Sequence, residues 1–245
     1  MSGHSHWSSI KHKKVIEDQK RGKIFSKLAR LISVAAREGS DPEMNPKLRK
    51  ALQEARSFNM PKDKIEKAIK RGIGEIEGEK LYQFSYEGVI PGKISLIIEG
   101  ITDNKNRTLS EIKQILQKYQ GKLAIEGSLK WQFEKKGVLT LNLKNQFSQN
   151  FSLEGLQLKV IEAGAEDIYL HPDKDLLDVY AKPEELEKVK KNLENQGFKI
   201  ESFSLHWVAK EQVELSPEER KKYQKLFEEL GENEAVQDIY SNFKN

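Results

Sequence analysis

The spacing of apolar residues changes once along this chain, and the change divides it into two kinds of structure. Up to about Gly72 the apolar residues recur every three or four positions, as in Ile24, Phe25, Leu28, Leu31, Ile32 and Ala35. That is the mark of helices burying one face. From Leu81 the period falls to two, in LYQFSYEGVI and then KISLIIEGIT, which calls for strands. An α+β fold follows, with a helical bundle first and sheet-containing domains after it.

Punctuation refines the division. Gly39 ends the first helix, Asn45 and Pro46 open a second as N-cap and first helical residue, and Pro61 opens a third that Gly72 closes. Pro91 and Gly92 turn a hairpin, a helix is expected over about 108–119, and SLKWQFEKKG reads as a third strand. Residues 137–208 read strand, helix, strand, strand, helix, strand. This βαββαβ order is a complete ferredoxin-like unit. The helix opened by Ser216 and Pro217, and the strand VQDIYSNF after it, have no core of their own. They are expected to return to the preceding domain. The expected organisation is therefore three domains: a basic helical domain with an N-terminal arm (1–79), a discontinuous α/β domain (80–136 and 209–245), and an inserted ferredoxin-like domain (137–208).

Charge is as unevenly divided as periodicity. Across the chain Lys and Arg number 42 against 38 Asp and Glu, yet residues 1–74 carry 18 of the former and 8 of the latter. A cationic block of this kind suits a partner with regular negative charge, and nucleic acid is the commonest. On the first helix Lys20, Lys23, Lys27, Arg30 and Arg37 fall opposite the apolar stripe, and no acidic residue occurs from Lys20 through Arg37. Without i,i+4 carboxylates, this ridge is expected to stand unneutralised. Lys64, Lys67 and Arg71 make a second ridge on the third helix. The arm contributes His6, Trp7, Lys11, Lys13 and Lys14, an aromatic and cations suited to stacking on bases and touching phosphates. Trp7 has an equally good alternative in folding back on the bundle as a hydrophobic staple.

A further anion contact is expected in the loop TDNKNRT, at Asn104, Lys105, Asn106 and Arg107, where a helix begins. Plain helix capping by Asp103, Asn104 and Asn106 accounts for most of that loop. The segment 137–208, with 8 basic and 12 acidic residues and few aromatics on its strands, is expected to avoid phosphate and meet protein.

Chemistry beyond binding finds little support. There is no Cys, which excludes disulfides, thiolate metal sites and a cysteine nucleophile. Walker, dinucleotide-binding and nucleophile-elbow motifs are missing. We expect no enzymatic activity, cofactor, metal or small-molecule substrate. The apolar runs are too short to span a bilayer, so a cytoplasmic protein with no membrane partner is expected.

Longer motifs run the length of the chain: GHSHWSSIKHKK, DQKRGKIFSKLARLISVAAREG, DPEMNPKLRKALQEARSFNMPKDKIEKAIKRG, YEG, TDNKNRT, EGSLKWQFEKKG, EAGAED and VQDIYSNF. Together they resemble the YebC family, whose mitochondrial relatives include the translational activator of cytochrome oxidase. The resemblance implies a cytoplasmic, non-enzymatic, three-domain protein. By matching positions it points to His6, Trp7, Lys11 and Lys13, to Lys20, Arg21, Lys23 and Lys27, to Asn59 through Asp63, and to Asn104 through Thr108. The function it implies is DNA-binding regulation of transcription. The alternative is a ribosome-associated factor that binds ribosomal RNA and eases synthesis through proline runs. A protein-interaction scaffold is the second alternative.

Overall fold

The structure is a computed structural model that describes residues 18–143, 153–171 and 175–244. In chain order its elements are α1 (Asp18–Ala36), α2 (Pro46–Ser57), α3 (Lys62–Gly72), β1 (Tyr82–Ile90), β2 (Ile94–Thr102), α4 (Lys105–Lys118), β3 (Lys122–Leu123), β4 (Phe133–Asn142), α5 (Leu153–Glu162), β5 (Asp167–Leu170), β6 (Leu176–Ala181), α6 (Leu186–Asn195), β7 (Ile200–Ala209), α7 (Pro217–Glu232) and β8 (Val236–Ser241). The fold is α+β, with the chain forming two compact units. Among the described residues, one holds 18–126 together with Ser216–Ile239; the other holds those of Gly127–Leu215 and 240–244.

In the first unit α1, α2 and α3 bury one stripe each. Ile24, Leu28, Ile32 and Ala35 of α1 meet Leu48, Ala51, Leu52 and Ala55 of α2 and Ala68 of α3. Asn45 caps α2 by accepting from the Leu48 N–H at 3.0 Å. Its amide also donates to the Ala35 and Gly39 carbonyls, both at 2.8 Å, so one buried side chain closes α1 and opens α2. Helices α1 and α3 nearly touch at Gly72, where a Cβ would lie 2.4 Å from the Ser33 carbonyl oxygen. The Ser33 hydroxyl donates to the Ala68 carbonyl at 2.8 Å beside that contact. Any side chain at position 72 would pry the two helices apart.

The same unit carries a four-stranded sheet in the order β3-β1-β2-β8. The β1–β2 hairpin pairs from Tyr82↔Thr102 to Ile90↔Ile94, turning at Pro91–Lys93 as the sequence predicts. Strand β2 is buried along nearly its whole length, which its unbroken ISLII run allows. Helix α7 begins with a full capping box, Ser216 with Glu219. Its Glu229 accepts from the Tyr119 hydroxyl at 2.8 Å and from Lys118 at 2.7 Å, both at the end of α4.

The second unit is a sheet in the order β5-β6-β4-β7, each neighbour antiparallel. Two crossover helices, α5 and α6, cover one face through Leu139, Leu141, Val160, Val179, Val189 and Leu193. This is the expected βαββαβ unit, with one difference. SLKWQFEKKG does not end as a separate strand: Phe133–Asn142 runs through Gly137 as the single strand β4 and pairs with β7 along its length. The sequence reading divides the chain at Gly137, but the missing side chain there is what admits Leu186, whose Cδ1 would lie 2.8 Å from a Cβ at that position. The third strand pairing with β1 is instead the two-residue β3. Tyr180 is buried at 1% exposure and offers no stacking surface.

Candidate nucleic-acid interface

The cations of α1 do not stand free. Lys23 lies 3.6 Å from Glu232. Arg30 lies 3.8 Å from Asp103 and 3.9 Å from Glu234, and donates to the Ile101 carbonyl at 3.3 Å. Lys27 is buried, 2% exposed, and its ammonium donates to the Gly231 carbonyl at 2.5 Å. Burial pulls its pKa down to about 7; the neighbouring cations Lys23 and Arg30 push the same way, while Asp238 and Glu234 only partly oppose them. The expected unneutralised ridge on α1 is thus corrected at Lys23, Lys27 and Arg30. Helix α1 carries no carboxylate of its own there, but the segment from α7 into β8 supplies them about two hundred residues later. Ion pairs sought at i,i+4 miss such partners.

Arg21 is exposed at the start of α1. His6, Trp7, Lys11, Lys13 and Lys14 lie outside the described residues, as does the side chain of Lys20.

Helix α3 behaves differently. Lys64, Lys67 and Arg71 are all exposed. Among the described residues no carboxylate lies within 4.0 Å of any of them. At about 100° per residue the three lie within an arc of roughly 60°, with Glu66 about 130° from its centre and Asp63 and Lys70 flanking it at roughly 70–90°. The ridge borders a groove of about 250 Å³ between α1 and α3. Phe25 and Ala29 of α1, with Met60 and Ala68, make its apolar floor. The Lys64 ammonium sits 5.2 Å from the centre of the Phe25 ring, within cation–π range. The apolar spacing assigns Phe25 to the helical core, and Met60 enters only within the turn Asn59 through Asp63 that the family resemblance marks. The spacing shows that Phe25 is apolar and on an inward face, but not that the two helices diverge enough beside it to leave a trough.

At the loop before α4, capping prevails. Asn104 accepts from the Arg107 N–H at 3.0 Å as N-cap. The Arg107 guanidinium grips Asp103 at 2.6 and 2.8 Å and reaches Glu111 at 3.8 Å. Burial alone would raise the Asp103 carboxyl, but the hydrogen bond and charge of Arg107, with Arg30 behind it, hold it below the usual carboxylate range. Arg107, expected as an anion contact, is therefore engaged internally. Lys105 and Asn106 point outward, and the Lys105 and Lys80 ammonium groups flank the exposed Tyr82 ring at 5.7 and 5.6 Å.

Comparison with known proteins settles the family. Residues 5–75 match the model of the TACO1/YebC protein N-terminal domain, and residues 81–243 match that of the TACO1/YebC second and third domain. The chain belongs to the TACO1/YebC family. A relative in Halothermothrix orenii is 46% identical across 99% of this chain and 95% of its own, and one in Natranaerobius thermophilus is 43% identical across 99% and 96%. Both bear the name probable transcriptional regulatory protein. The crystal structure of a conserved hypothetical protein from Aquifex aeolicus is similar at a TM-score of 0.84, with 42% identity over 98% of this chain and 97% of that one. Among the described residues no helix is long and apolar enough to cross a membrane.

Proposed function

We propose that this TACO1/YebC protein is a non-enzymatic, nucleic-acid-binding regulator of gene expression that tracks a phosphate backbone with α3. The observation that carries this reading is the exposed row Lys64, Lys67 and Arg71, which has no carboxylate partner among the described residues while neighbouring cations on α1 are matched. The names of the relatives, regulators of transcription, support the class of function. The ridge face holds no Asn or Gln to read base edges, so its contacts are with phosphate, which positions a protein without specifying sequence.

The same cations serve DNA at a promoter or ribosomal RNA, and crosslinking in cells followed by sequencing of the bound nucleic acid separates the two. The reading itself is tested by the triple variant Lys64→Glu, Lys67→Glu, Arg71→Glu. We expect affinity for nucleic acid to fall at least ~100-fold and the slope of log affinity against log salt to lose about 2 to 3 of its magnitude, with the thermal midpoint nearly unchanged. Affinity insensitive to both salt and the triple substitution would point to the scaffold alternative.

A further inference from the structure

We infer that the groove between α1 and α3 receives one unpaired nucleobase, whose flanking phosphates lie along the α3 ridge, making single-stranded nucleic acid the preferred ligand. This deepens the function proposed above and rests on it. The floor of Phe25, Ala29, Met60 and Ala68 is apolar, which suits a flat aromatic ring rather than a phosphate. The rim of Lys64, Lys67 and Arg71 is cationic, which suits the phosphates on either side of that ring.

Size agrees with one ring. At about 250 Å³ the groove falls below the ~300–1,000 Å³ of pockets that take drug-sized ligands. From Lys64 to Arg71 the helix rises roughly 10 Å, long enough to reach the phosphates on both sides of one nucleotide. The Lys64 ammonium lies 5.2 Å from the centre of the Phe25 ring, so an incoming base takes its place on that ring and the displaced ammonium meets the flanking phosphate. Among the described residues the mouth is open on the α1 side, where a Cβ built on Gly22 meets nothing within 4 Å. A duplex offers its phosphates to the ridge but keeps its bases stacked inside, so nothing of it enters the groove.

The test uses the full chain, fluorescence anisotropy, and a labelled twelve-nucleotide strand in RNA and DNA versions, each free and annealed to its complement. A copy of the strand carrying 2-aminopurine reports base stacking. The variant is Gly22→Leu, which fills the mouth, removes no charge and replaces a helix-interior glycine by a better helix former. The wild-type chain should favour the single strand by about tenfold and quench 2-aminopurine. Gly22→Leu should erase both effects and leave duplex affinity and thermal midpoint where they were.

The inference is overturned if the variant keeps the quench and the preference, or if both ligands bind the wild type equally with a steep salt slope; the latter leaves the proposed function standing. It is also overturned if poly-glutamate displaces the strand from the wild type and Gly22→Leu abolishes poly-glutamate binding, which would assign the groove to an acidic protein. If neither strand nor duplex binds at any salt concentration, the proposed function fails as well.

Discussion

Two helices of one bundle carry similar rows of cations and put them to opposite use. On α1, Lys23, Lys27 and Arg30 turn toward Gly231, Glu232 and Glu234, and one of them is wholly buried. On α3, Lys64, Lys67 and Arg71 stay in water beside an apolar trough. The difference shows that a basic stripe is not evidence of a ligand until the rest of the fold has been counted against it. It also assigns roles: α1 fastens the bundle to α7 and β8, and α3 remains available to a polyanion.

The largest effect that separates the two roles should come from Lys27→Glu. It places a carboxylate against the Gly231 carbonyl in a buried site already facing Asp238 and Glu234, which should cost about 3–5 kcal/mol. Chemical denaturation would measure it. A loss under ~1 kcal/mol would mean that α1 is not fastened there, and the contrast with α3 would dissolve.

Lys27→Met sharpens the comparison more gently. In the folded chain the amine has a pKa of about 7, against 10.5 when unfolded. Between those values the unfolded state holds the extra proton, so this group makes stability rise with pH across the window, and below it the full cost of the buried charge applies. Methionine removes the titration. Melts should show the variant more stable than the parent by about 1–2 kcal/mol at pH 6, with the advantage shrinking toward pH 10. A parallel pair of pH profiles would show that the amine escapes its burial.

The smallest effect should be that of Lys23→Glu. Its pair with Glu232 is well exposed on both sides, so stability should change by less than ~1 kcal/mol. Nucleic-acid affinity should change by less than about threefold, because a charge on the clasped side is screened from a ligand on α3. An effect as large as that of the α3 triple variant, measured by the same anisotropy titration, would return α1 to the interface.

What the sequence made legible follows from how local each signal is. The Asn45–Pro46 start of α2, the hairpin turn at Pro91–Lys93 and the βαββαβ order all depend on residues a few positions apart, and they appear as expected. The capping role of Asn104 was readable for the same reason. Strand β3, only two residues long, carries too little pattern to be seen. Gly137 misled because its purpose is contact with Leu186, about fifty positions away. The burial of Lys27 was illegible for the strongest version of that reason: its partner is 204 residues away. Of the candidate interface, the α3 ridge could be written down from spacing alone, whereas the trough beside it depends on how far two helices stand apart.

That separation along the chain has a consequence during synthesis. A ribosome adding about 5–20 residues per second makes Lys27 roughly 10 to 40 s before Gly231. Through that interval the nascent α1 lacks the carboxylates of the last helix and strand, so the growing chain carries two unmatched cationic rows instead of one. If α3 binds a polyanion as proposed, chains arrested before Gly231 should retain more nucleic acid on purification than finished ones.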